Sequence, residues 1–248
     1  MKYKIKKVLS KAIIFVFAAI IVFTSYGNAK EPPHDPVPGK IFLTTSGSSR
    51  SVEFVLNERN NSSGVVNGTV SIDWGDGTPV ETLNFSEKGL ELSYEYSDTT
   101  ARRITITSTH LTSLSFSCER HLTSLNVCEA PGLVYLTVPD NQLTELDVSK
   151  NSVLQVLLVC NNNLSNLDVT QNTSLYYLSI SKNQFDAEAI NALFRRLHDK
   201  VGMSNFFIFT PDASAPVSKL LSVGGNPGHP YCDKSIADNK GWGFIEFP

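Results

Sequence analysis

Three segments decide the fold: Leu133-Val-Tyr-Leu136-Thr-Val138, Leu154-Gln-Val-Leu157-Leu-Val159 and Leu175-Tyr-Tyr-Leu178-Ser-Ile180. Each starts 21 residues after the one before. Between them, at the same period, stand Leu122-Thr-Ser-Leu125-Asn-Val127, Leu143-Thr-Glu-Leu146-Asp-Val148 and Leu164-Ser-Asn-Leu167-Asp-Val169. Every coil therefore carries two L-x-x-L-x-V segments. An earlier copy, Leu111-Thr-Ser-Leu114-Ser-Phe116, lies 22 residues before Leu133, which places one inserted residue near Glu119, Arg120 and His121. The last two apolar residues of a segment are two apart, so they share one side of an extended chain. A lone coil cannot bury that side, whereas coils stacked at roughly 4.8 Å share a continuous apolar interior. Asn141, Asn162 and Asn183 recur with the same period. An amide both donates and accepts, so a column of them can satisfy backbone groups where each coil turns inward. Asn151 and Asn172 mark the opposite turn, with Pro131 standing beside the corresponding place one coil earlier.

The pattern L-x-x-L-x-L-x-x-N-x-L resembles the leucine-rich-repeat signature. It is carried by Leu133, Val138, Asn141 and Leu143, by Leu154, Val159, Asn162 and Leu164, and by Leu175, Ile180, Asn183 and Phe185. The 21-residue form, with L-D-V-S-K-N and L-D-V-T-Q-N, resembles exported leucine-rich-repeat proteins of Bacteroidota and is more loosely similar to internalin-type repeats. This resemblance implies a short solenoid over residues 109–185 with two extended segments per coil.

Working outward, residues 1–29 read as a leader. Lys2, Lys4, Lys6, Lys7 and Lys11 precede an apolar run over residues 12–23 and a small-x-small end at Gly27-Asn28-Ala29. These are the parts of a secretory signal peptide cleaved after Ala29. The run is shorter than the roughly 20 apolar residues of a spanning helix, so no stable membrane span is expected after cleavage. The 248-residue chain has 21 basic and 24 acidic residues. Without the leader its net charge becomes −8, which argues against a nucleic-acid partner. Residues 30–39 hold four prolines and read as a spacer.

Residues 40–108 alternate short apolar-polar runs with turn residues, predicting strands over 40–45, 51–57, 69–74, 81–85, 92–96 and 103–107 in a small β-sandwich. Ile72-Asp73-Trp74-Gly75-Asp76-Gly77-Thr78, with Tyr94-Glu-Tyr96 and Ile104-Thr-Ile106-Thr, resembles the polycystic-kidney-disease-type (PKD) sandwich. Ile72 and Trp74 depart from that family's usual aromatic places. Asp73 and Asp76 admit a calcium reading, but Asp-Gly supplies a positive-φ turn to which the aspartates bond locally, and calcium needs roughly six oxygens. Residues 186–248 read as an α/β cap: a helix over 186–200 with Asp186 as N-cap, strands over 205–210 and 220–223, and a short helix over 233–240 ended by Gly241. The motifs N-P-G (226–228), C-D-x-S-I-A (232–237) and K-G-W (240–242) resemble the C-terminal part of the same exported family. Its expected role is to cover the open end of the stack. Residues 211–219 stand as an insertion.

The fold class expected is thus mainly β: sandwich, solenoid, cap. Within it, Cys118, Cys128, Cys160 and Cys232 are expected as free thiols. Cys118 and Cys160 stand two coils apart, roughly 10 Å, beyond the roughly 7 Å Cα limit of a disulfide. The five histidines show no paired metal spacing. No nucleophile elbow or phosphate loop occurs, and Asp147 and Asp168 repeat with the coil as solvated acids. No catalytic site, metal or cofactor is expected. The candidate contact surface is the strand face of the coils: Tyr135, Val156 and Tyr177 in one column, Thr137, Leu158 and Ser179 in the next. Tyrosine suits contact sites because a rigid ring carries a hydroxyl. The function expected is a non-enzymatic binding or adhesion module for a protein or glycan partner. The alternative is a structural spacer of the cell envelope.

Overall fold

The computed structural model describes residues 38–58, 68–85, 89–116, 121–199 and 219–245. The leader, most of the spacer, Cys118 and the strand expected over 205–210 lie outside them. The protein is mainly β. Thirteen strands form among the described residues: β1 (Gly39–Thr45), β2 (Ser51–Glu58), β3 (Thr69–Asp73), β4 (Glu81–Asn84), β5 (Leu90–Glu95), β6 (Arg103–Ser108), β7 (Leu111–Phe116), β8 (Leu122–Glu129), β9 (Tyr135–Thr137), β10 (Val156–Leu158), β11 (Tyr177–Ser179), β12 (Leu220–Ser222) and β13 (Gly243–Phe244). One sheet runs β4-β3-β6-β1-β8 and the other β13-β12-β11-β10-β9-β7-β2-β5. No described helix is long and apolar enough to cross a membrane.

The first six strands lie where alternation predicts them, and they pair antiparallel. Ile41, Leu43, Val52, Phe54, Ile72, Ile104 and Ile106 are buried at 2% exposure or less. Trp74 stacks on Tyr94 at 4.4 Å, and Phe54 packs on Phe116 of β7 at 5.9 Å.

The next two strands tie these first six to the strands that follow. β7 pairs antiparallel with β2 (Leu56 opposite Leu114) and parallel with β9 (Leu114 opposite Leu136). β8 pairs antiparallel with β1 over Lys40–Thr45. A division at 108/109 therefore cuts between β6 and β7, and hydrogen-bonded ladders cross it in both sheets. One apolar cluster extends from Ile41 to Trp242.

From β9 onward the stack is parallel. Tyr135 lies opposite Val156, Val156 opposite Tyr177, and Tyr177 opposite Leu220. β12 and β13 of the cap thus extend the same ladder. The second extended segment of each coil takes another form: residues 143–148 and 164–169 bury alternate apolar residues but form no strand. At the end of each of them an aspartate bonds the backbone locally: Asp147 Oδ1 accepts from Ser149 N–H at 2.8 Å and Asp168 Oδ1 from Thr170 N–H at 2.9 Å.

The inward turns are held by the asparagines. Asn162 accepts from Leu143 N–H at 3.0 Å and donates to Val138 O at 2.9 Å and Val159 O at 3.1 Å. Asn183 repeats the arrangement with Leu164, Val159 and Ile180. Asn226 extends it into the cap, accepting from Asn183 and Phe185 and donating to Ile180 and Val223. At the opposite turn Asn151 donates to Val127 O and Ala130 O, and Asn172 to Val148 O and Asn151 O. Asp140, Asn161, Lys182 and Gly225 occupy one left-handed position at successive turns, with φ 54°, 54°, 55° and 74°.

The helix Ala187–Arg196 is capped by Asp186, whose carboxylate accepts from Ala189 N–H at 2.7 Å, and it buries Ile190, Leu193 and Phe194. It ends earlier than expected, at a cluster that satisfies its terminal carbonyls. Lys240 donates to Arg195 O and Leu197 O, while Lys219 Nζ and Trp242 Nε1 donate to His198 O. Cations favour a helix C-terminus, where carbonyls are unpaired.

Replacing Asn162 by Ala removes the side-chain acceptor of the buried Leu143 N–H and the 2.9 Å donor to Val138 O, each lost partner costing about 1–3 kcal/mol. Urea unfolding of Asn162→Ala is therefore expected to show a loss of at least about 2 kcal/mol, against under about 0.5 kcal/mol for exposed Asn163→Ala. Equal losses would mean that the column does not hold the turns.

Candidate functional site

The six residues expected to form the contact surface come together as two columns. Tyr135, Val156 and Tyr177 are in register, as are Thr137, Leu158 and Ser179. Their accessibility differs from the expectation. Val156 is 3% exposed, Tyr177 and Thr137 7%, and Ser179 1%. Only Tyr135 and Leu158 of the six are half-buried. The reason is packing along the stack: Val156, Tyr176, Tyr177 and Leu220 form a second apolar cluster, with Tyr135, Leu158 and Ile245 against it. Burial, aided by the nearby Cys160 thiol, raises the Tyr177 hydroxyl well above its usual range. These columns are framework rather than an open patch. The sequence signal for this lay in the doublets Tyr176-Tyr177 and Leu220-Leu221, which put apolar residues on both sides of a strand.

Among the described residues a shallow, open concavity lies elsewhere, at the asparagine turns. A groove of about 250 Å³ is lined by Asn141, Gln142, Asn161, Asn162 and Asn163. Asn141 and Asn162 are buried and hold the backbone: Asn141 accepts from Leu122 N–H at 3.0 Å and donates to Pro139 O at 2.8 Å. Asn161 donates to the Asp140 carboxylate of the neighbouring coil. Gln142, Asn163 and Gln184 follow the ladder asparagines one residue on, at the 21-residue period, and are half-buried or exposed. Their backbone N–H groups bond the preceding coil at Leu122 O, Leu143 O and Leu164 O. The frame thus fixes the backbone from which each amide projects. Each of these side chains can donate and accept at once. The sequence holds this column, but it is overshadowed by the ladder asparagines beside it.

The remaining sequence candidates resolve into turns and free thiols. Asp73 Oδ1 accepts from Gly75 N–H, and Asp76 Oδ1 from Thr78 N–H, both at 3.0 Å. Asp76 Oδ2 accepts from the Tyr94 hydroxyl at 2.7 Å. Burial opposes ionisation of Asp76, but the hydrogen bonds from Thr78 and Tyr94 outweigh it and hold the carboxyl below its usual range. Among the described residues no group of three His, Cys, Asp or Glu side chains is placed to hold a metal. Cys128, Cys160 and Cys232 are free. The Cys128 thiol donates to Asp147 Oδ2 at 3.4 Å, and burial followed by this carboxylate raises it. Asp147 and Asp168 are held below the usual carboxylate range chiefly by hydrogen bonds from Ser149 and Thr170.

Because Tyr177 is core, Tyr177→Ala is expected to cost about 3 kcal/mol or more, the scale of truncating a buried aromatic. Half-buried Tyr135→Ala should cost distinctly less. Thermal unfolding of the two variants checks this, and an unchanged midpoint for Tyr177→Ala would return the column to the surface.

No family model matches the sequence, and no curated protein matches it. Among solved structures, the chain is similar to the functional domain of InlJ from Listeria monocytogenes, which includes a cysteine ladder, at 26% identity and a TM-score of 0.34. That likeness covers 48% of this chain and 21% of that chain, so it spans about a fifth of the length of its neighbour.

Proposed function

We propose that this chain is an exported, non-enzymatic binding module in which a short leucine-rich-repeat stack, fused to a β-sandwich of PKD type, presents an amide-lined groove to a glycan partner. The 21-residue period, the asparagine ladder and the basic-apolar leader support the scaffold and the export. The observation that carries the function is the column Gln142, Asn163 and Gln184. Gln142 and Asn163 line a groove of about 250 Å³ on a backbone that the ladder fixes, Gln184 continues their column, and it is the ladder asparagines that hold the turns. Binding to a hydroxyl-rich partner favours groups that donate and accept without a charge to desolvate. Fixing the amides in advance reduces the ordering cost of association.

A second reading, a structural spacer of the envelope, is favoured by one observation: β7 and β8 join the sandwich to the coils by hydrogen-bonded ladders. A rigid link of that kind suits spanning as well as presenting. A glycan array probed with the whole protein separates the two. The binding reading expects retention on a subset of glycans, reduced about tenfold in Gln142→Ala/Asn163→Ala with its unfolding midpoint unchanged. Retention unaffected by the double variant would remove the groove from the function, and the absence of any signal would favour the spacer.

A further inference from the structure

The outer face of the five-stranded sheet carries a feature that neither the sandwich core nor the amide groove uses. Ile41 and Leu43 of β1 point inward and are buried, so Lys40, Phe42 and Thr44 face out. Phe42 lies between Thr105 of β6 and Asn126 of β8. Lys40 Nζ stands 4.9 Å from the centre of its ring, and the Arg103 guanidinium carbon 4.8 Å from it. Lys40 precedes Phe42 by two residues, while Arg103 is across from Thr44, two residues after it. The cations therefore reach the ring from opposite directions along the strand, within about 10 Å of each other.

This placement gathers two cations on one face of a chain whose net charge is negative. Two like charges repel when drawn together, and the ring's negative faces offset that only in part. Glu129 is across from Lys40 in the register. Yet among the described residues neither Lys40 nor Arg103 enters an ion pair; Arg102 and Asp98 form one instead. A solvated sheet face does not need a half-buried phenyl ring at its centre. Around it stand Thr44, Thr107, Ser124 and Asn126, all at least partly exposed.

The geometry points to a second binding site here, for an anionic polysaccharide bearing carboxylate or sulfate groups. The guanidinium fork pairs an oxyanion through two donors, and Lys40 supplies a second charge for another along the same chain. The surrounding hydroxyls and the Asn126 amide suit sugar hydroxyls. β1 itself is hydrogen-bonded on both edges, so the ring and its two cations stand on the sheet face and not at an edge where a peptide strand could add. Two cations are also too few for a nucleic-acid track. The site is separate from the amide groove and does not depend on it.

Affinity electrophoresis of the whole protein through gels containing polygalacturonate, chondroitin sulfate or dextran tests this. Retardation is expected in one or both anionic gels, weakening as salt rises, and none in dextran; which anionic gel retards more identifies the carboxylate or the sulfate. Lys40→Gln/Arg103→Gln should lose about tenfold in affinity, and Phe42→Leu, which keeps both charges but not the ring that holds them, should lose less. Circular dichroism melts confirm that the variants fold. Equal retardation by dextran, or wild-type retardation of the folded double variant, overturns the proposal. Equally tight binding of polyglutamate or duplex DNA also overturns it, by making the face a general polyanion attractor. Gln142→Ala/Asn163→Ala should leave anionic retardation intact; its loss there would move the site to the groove and defeat this inference.

Discussion

The constraint on which the structure rests is the double use of the chain over Leu111–Glu129. β7 completes the sheet of β2 and β5 and is also the strand on which β9 stacks. β8 completes the other sheet through β1, while its first residue bonds Asn141 and Gln142 of the coil above. A stack as short as β9 to β11 leaves apolar surface and strand edges open at both ends. Here the sandwich closes one end and the cap the other, so three regions share one core. Short stacks of parallel strands cannot bury their end strands unaided, and the strands shared with the first sheet cover the N-terminal side.

Given that start, the amide columns carry order upward. Turning a chain through an apolar interior leaves backbone N–H and C=O groups that must be paired. Asn141, Asn162, Asn183 and Asn226 each serve this need at one level, so adding a coil requires one asparagine and a residue tolerant of positive φ. The proposed contacts use residues that do not close the turns. Gln142 and Asn163 line the groove beside the ladder, whose turns are closed by the asparagines that precede them, and Lys40 and Arg103 flank a ring that the core does not use. The two proposed sites lie on different regions of the fold and call for different chemistry, neutral hydrogen bonding at one and charge at the other.

Much of the fold was legible because it is periodic. Leucines at a 21-residue repeat place β9 to β11 inside six-residue segments, of which three residues pair as strand, and alternation places the first six strands to within a residue or two. Two features escape such periodicity. Leu221-Ser-Val223-Gly-Gly-Asn226 matches Leu178-Ser-Ile180-Ser-Lys-Asn183, but the 43-residue spacing hides it, and its glycines suggest a plain turn. The antiparallel pairing of β7 and β8 is a long-range choice that no local pattern records, since both segments look like the other repeats. The site was less legible still. Period-2 logic correctly sent Tyr135, Val156 and Tyr177 to the face away from the core, but it could not show a second apolar layer there. The Lys40, Phe42 and Arg103 cluster is invisible in sequence because two of its members meet a third 61 residues or more away.

The central claim is that shared strands make sandwich and coils one cooperative unit. Native-state hydrogen exchange followed by mass spectrometry tests it most directly, by comparing peptides from β3 and β6 with peptides from β10 and β11 over a urea series. One opening free energy for both sets, falling with urea along one slope, is the predicted result. Coils that open at a lower free energy and a smaller slope, with the sandwich still protected, would contradict it.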